Sequence, residues 1–128
     1  MSKKRVLIID DDRDYGDALR IVLENNGYQV HHALNIRDGR EALEKERPNL
    51  IILDVMMDRH TDGFDLCYSL KHDENCRQIP VMMVTAVTEK TGFKFSPETD
   101  GEYLQADAYV AKPIPVAELL SRVSKMIG

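Results

Sequence analysis

The chain has 128 residues, of which 43% are hydrophobic and 30% charged, and carries a formal net charge of −5. Such a length gives one domain that buries roughly two thirds of the surface its unfolded form exposes, so no disulfide or structural metal is needed to hold it. The acidic balance argues against direct nucleic-acid binding, which needs a basic face to neutralise phosphates. No apolar stretch approaches the roughly 20 residues that cross a bilayer. Cys67 and Cys76 lack the spacing of a metal site, and with no signal peptide ahead of the first strand they are expected to be reduced thiols of a cytoplasmic protein.

Val6, Leu7, Ile8 and Ile9 form a first apolar run that leads straight into Asp10, Asp11 and Asp12. A short, continuous run of this kind predicts a strand buried on both faces. Tyr15, Ala18, Leu19, Val22 and Leu23 then recur at helical spacing. Asp12 or Asp14 can cap the start of that helix, and Gly27 can close it in a left-handed turn. Val30, His31, His32 and Ala33 make a weaker, mixed strand, expected at a sheet edge. Asn35 can cap a second helix carrying Ile36, Ala42 and Leu43, which stops before Pro48 because the residue ahead of a proline avoids helical geometry.

Leu50, Ile51, Ile52 and Leu53 restart the strand pattern and end in Asp54. Phe64, Cys67 and Leu70 mark a third helix that fades through Asp73 and Asn75. Val81, Met82, Met83 and Val84 form the third apolar run, ending in Thr85. In 87–107 Gly92, Ser96, Pro97 and Gly101 interrupt any period, which predicts a long loop with one short helix near Glu102. Ala108, Tyr109, Val110 and Ala111 give a fifth, mixed strand leading to Lys112 and Pro113. Val116, Leu119, Leu120, Val123 and Ile127 are the clearest apolar stripe, on a closing helix.

Alternating strands and helices imply right-handed crossovers and a parallel sheet covered on both faces. The expected fold is a doubly wound (βα)5, flavodoxin-like three-layer α/β sandwich with sheet order 2-1-3-4-5, and residues 1–128 form a single domain. Three fully apolar runs belong at the centre and the two mixed ones at the edges. Ligands in such sheets bind outside the carboxyl ends of the strands, at the switch between the first and third. Asp10, Asp11 and Asp54 flank that switch.

Two carboxylates about 4 Å apart repel by on the order of 4 kcal/mol at an effective dielectric near 20. A hard divalent cation offsets this without loss of charge, and Mg²⁺ characteristically takes one or two carboxylates together with a phosphate oxygen. Asp10 to Asp14 could simply end a strand and start a helix, where negative charge is stabilising. Against that bland reading stand Thr85 and Lys112, a hydroxyl and a point cation suited to phosphate, at the ends of two further strands.

The stretches Val6-Leu7-Ile8-Ile9-Asp10-Asp11-Asp12, Leu50-Ile51-Ile52-Leu53-Asp54-Val55-Met56-Met57, Val84-Thr85-Ala86 and Tyr109-Val110-Ala111-Lys112-Pro113 together resemble the receiver domains of bacterial two-component response regulators, stand-alone chemotaxis-type receivers among them. The resemblance covers the whole chain. It implies that Asp54 accepts a phosphoryl group from a phosphohistidine on a sensor histidine kinase or a histidine phosphotransfer protein. Asp10, Asp11, Asp54 and the backbone carbonyl of Met56 would hold Mg²⁺, for which Mn²⁺ can substitute. Lys112 would pair with the phosphoryl oxygens, and Thr85 and Tyr109 would switch on its arrival, with a cis bond before Pro113. The implied protein is a monomer or weak homodimer that presents a changed surface to a downstream protein. It binds no membrane and no nucleic acid directly, and its only chemistry is its own phosphorylation and dephosphorylation.

Two segments depart from the family pattern. Asp58-Arg59-His60-Thr61-Asp62-Gly63 lacks the family's proline and is slightly longer, and the segment 89–102 is longer than usual, with Phe93 and Phe95 expected to pack beneath it. Met56 and Val87 stand where the family tunes phosphoryl lifetime. Both are apolar and unable to orient water, so autodephosphorylation is expected to be slow. A flavodoxin-like cofactor binder would need a glycine- and hydroxyl-rich loop after the first strand in place of Asp-Asp-Asp-Arg-Asp. A hydrolase working through an aspartyl phosphate would need a cap domain, and a degenerate receiver would not retain the full acidic set.

Overall fold

The computed structural model describes residues 3–54, 62–85, 107–111 and 114–127, and only the backbone at 62–65, 67, 85, 109 and 111. Its strands are β1 (Arg5–Ile9), β2 (Gln29–Ala33), β3 (Leu50–Asp54), β4 (Val81–Thr85) and β5 (Ala108–Ala111). They form one parallel sheet in the order β2-β1-β3-β4-β5. The fully apolar runs are the three central strands and the mixed ones the edges, as their composition predicts.

Alternation along each strand divides the core in two. Leu7, Ile9, Ile51, Leu53, Val81 and Met83 face one way and pack with residues of helices α2 (Ile36–Lys45) and α3 (Asp62–Lys71). Val6, Ile8, Leu50, Ile52, Met82, Val84 and Val110 face the other way, against α1 (Arg13–Asn25) and α4 (Val116–Ile127). Because both faces are covered, the central strands show no polar alternation. Each fully buried Leu or Ile contributes about 1.5–3 kcal/mol of transfer free energy, which fixes the strands in register and so fixes their polar ends.

Local chemistry sets the helix boundaries. Asp12, not Asp14, caps α1: its Oδ1 accepts the Tyr15 N–H at 3.0 Å, leaving Asp14 exposed in the first turn. At the other end Gly27 adopts φ 92°, and the Tyr28 N–H donates to Leu23 O at 3.1 Å, satisfying a terminal carbonyl. Asn35 caps α2 by accepting the Asp38 N–H at 2.8 Å. α2 ends at Lys45, ahead of Pro48.

Several details differ from the sequence reading. Val116 belongs to the apolar stripe of α4 by spacing yet is 54% exposed, whereas Ile114, just ahead of the helix, is buried in the core. Ala18 is likewise exposed on α1, while Leu66, passed over in the α3 pattern, is fully buried. Lys71 closes the pole opposite the acidic rim: its ammonium donates to Ile79 O at 2.9 Å and to the Asp107 carboxylate at 2.7 Å, which also accepts the Val81 N–H. Cys76 is a free thiol, and partial burial raises its pKa, with Asp73 adding to the shift. The expected helix near Glu102, Asp58, Val87, Phe93, Phe95 and Pro113 all lie outside the described residues, as does the side chain of Cys67.

Candidate functional site

Register carries the acidic residues to one rim. Ile9 pairs with Leu53, so Asp10 and Asp54, each the next residue, end their strands at the same level. Both are buried, at 3% exposure apiece, while Asp11 is exposed. The three residues each offer a carboxylate oxygen within 4.8 Å of the others. Thr85 ends β4 and pairs with Ala111, the residue before Lys112, and Tyr109 pairs with Met83 inside β5. Met56 and Lys112 lie outside the described residues, as do the side chains of Thr85 and Tyr109.

The β1–α1 turn is held at several points. The Asp10 N–H donates to Ala33 O at 3.0 Å, and Asp10 Oδ1 accepts the Asp12 N–H at 2.9 Å. His32 Nε2 lies 2.8 Å from Asp10 O, where it can only be the donor, because a carbonyl carries no proton. On the face shared by α1 and α4, the Ile114 N–H donates to the Tyr15 hydroxyl at 3.2 Å, tying α1 to the segment that follows Lys112 and Pro113. Neither His32 nor Tyr15 stood out as a site residue in the sequence. Their contacts join positions 22 and 99 residues apart, which no periodicity reports.

Two buried carboxylates this close carry a repulsion of at least about 3 kcal/mol at an effective dielectric near 20. Oxygen donors only, two of them on buried residues beside one that faces solvent, fit a hard divalent cation such as Mg²⁺, which characteristically completes its coordination with water and a phosphate oxygen. Among the described residues, the cluster is made of carboxylates alone, with neither thiol nor imidazole in it. Among the described residues no helix is long and apolar enough to cross a membrane.

The family model of the response regulator receiver domain matches residues 6–124. Over 123 residues the chain is 37% identical to the DNA-binding dual master transcriptional regulator RpaA of Synechocystis sp., an alignment covering 96% of this chain and 48% of that protein. It is 36% identical over 129 residues to the response regulator MprA of Mycolicibacterium vanbaalenii, covering 96% and 50%. The chain thus spans about half the length of these curated relatives. Among solved structures, the chemotaxis protein CheY4 of Vibrio cholerae superposes with a TM-score of 0.82 at 26% identity, covering 98% of this chain and 99% of that one. The signal receiver domain of a signal transduction histidine kinase from Syntrophus aciditrophicus gives 0.80 at 32% identity, covering 97% and 89%. With the sheet order, the acidic rim and the match over nearly its whole length in agreement, the chain belongs to the response regulator receiver domains, the phosphorylation-dependent switches of two-component signalling.

Proposed function

We propose that residues 1–128 act as a single receiver domain in which Asp54 accepts a phosphoryl group from the phosphohistidine of a sensor histidine kinase or histidine phosphotransfer protein. The observation that carries this reading is the meeting of Asp10, Asp11 and Asp54 within 4.8 Å at the carboxyl ends of β1 and β3. An Asp54 carboxylate oxygen attacks phosphorus, an O–P bond forms as the N–P bond breaks, and the imidazole leaves with its electron pair and takes a proton. Phosphoryl transfer asks chiefly for positioning and charge stabilisation.

Asp10, Asp11, Asp54 and the Met56 carbonyl would hold Mg²⁺, or Mn²⁺ in its place, and the bound cation would neutralise phosphoryl charge. Lys112 pairs with the same oxygens. The new acceptor oxygens give the Thr85 hydroxyl a partner, Tyr109 follows, and the altered surface meets a downstream protein. This chain works as a phospho-accepting switch in the cytoplasm, as a monomer or weak homodimer, and without contacting nucleic acid or membrane itself.

A titration followed by amide NMR shifts tests this. Mg²⁺ alone is expected to move residues 10, 11 and 54, and a phosphoryl mimic added with Mg²⁺ extends the change to 85 and β5. A spectrum indifferent to both overturns the reading.

A further inference from the structure

We propose that His32 is a positioning residue for the metal site, and that Gly16 is small because the His32 ring occupies the space above it. This rests on the metal-site reading of Asp10 given above. The ring is 7% exposed, and its Nε2–H donates at 2.8 Å to the backbone carbonyl of Asp10. That carbonyl belongs to the residue whose carboxylate meets Asp11 and Asp54. The Asp10 N–H is already fixed to Ala33 O, so β2 grips both backbone polar groups of Asp10, one through its main chain and one through a side chain.

A Cβ on residue 16 would stand 2.0 Å from Cε1 and 2.2 Å from Nε2 of His32, well inside contact distance. Since Gly16 is helical and, among the described residues, positive φ occurs only at Gly27, backbone freedom does not explain a glycine at 16. The ring does. Its second nitrogen lies 3.7 Å from Asp17 Oδ1, so α1 contacts the imidazole through two successive residues while Nε2 points to Asp10. Groups that orient the holders of a metal in this way are worth about 10–100-fold in its affinity.

The test is Mg²⁺ titration of the whole chain, read from the amide shifts of residues 10 and 54, in His32→Ala, His32→Gln, Gly16→Ala and the Gly16→Ala/His32→Ala pair. Asp11→Asn serves as the control for the metal site. A denaturation midpoint in chelator confirms that each variant folds. His32→Ala is expected to weaken Mg²⁺ binding about tenfold, the lower end of that range. His32→Gln, whose amide nitrogen reaches about as far as Nε2, is expected to restore it to within about twofold. Gly16→Ala should weaken binding in the presence of His32 and add nothing once the ring is gone.

Unchanged affinity in His32→Ala while Asp11→Asn loses the cation overturns the inference and leaves the metal site standing. Equal losses in His32→Ala and His32→Gln overturn it too, because the donated hydrogen would then not carry the effect, and so do additive losses in the paired variant, because Gly16 would then act independently of the ring. Undiminished binding in Asp11→Asn removes the metal site, and this inference with it.

Discussion

Asp10→Asn separates the stability of the acidic rim from its chemistry. The substitution keeps an oxygen to accept the Asp12 N–H, 2.9 Å from Oδ1, and removes one of two buried charges within 4.8 Å of each other. At that distance and an effective dielectric near 20, the pair repels by at least about 3 kcal/mol. Solvent and counter-ions on the open side, where Asp11 is exposed, take up part of this, leaving about 2 kcal/mol for the variant to recover. In urea with chelator, Asp10→Asn should therefore be the more stable protein, with an unchanged m-value. Adding Mg²⁺ should reverse the order, because wild type gains RT ln(1 + [Mg²⁺]/Kd) and the variant gains little. A variant less stable than wild type without metal, or equally stabilised by Mg²⁺, would refute the electrostatic account of the rim.

Asn35→Ala removes the acceptor for the Asp38 N–H and should cost about 1 kcal/mol, measured as a shifted urea midpoint. Lys71→Met keeps the apolar stem but strips Ile79 O and Asp107 of the ammonium of a side chain that is 11% exposed, which should cost about 1–2 kcal/mol by the same measurement. A neutral result in either case would show that solvent replaces the lost contact. Burial raises the pKa of Cys76, so less of it is thiolate at any given pH, and in a Cys67→Ser background its alkylation should lag a free-cysteine peptide at pH 8 and gain on it as pH rises. Alkylation as fast as the peptide's at pH 8 would contradict that.

The strands were legible in the sequence because both faces of the sheet are covered: Val6 to Ile9 and Leu50 to Leu53 are buried at every position. Once those runs are strands, the rim follows, since Asp10 and Asp54 each come next after a pair in register. The edges were legible for the opposite reason, with Gln29 and His31 exposed on β2.

What the sequence did not reveal depends on contacts between distant positions. His31 and His32 look alike along the chain, but only His32 turns inward over Gly16 toward Asp10. The Lys71–Asp107 pair and the Tyr15–Ile114 hydrogen bond join elements with no shared period. Val116 obeys the helical period and still faces solvent, because spacing identifies a stripe without saying where the core ends.

The central claim is that Asp54 takes the phosphoryl group, and mass spectrometry of the intact chain tests it most directly. After incubation with a small acyl phosphate and Mg²⁺, wild type should gain one phosphoryl group that hydroxylamine removes. The gain should vanish with chelator and in Asp54→Asn. Undiminished, acid-stable labelling of Asp54→Asn would contradict the account.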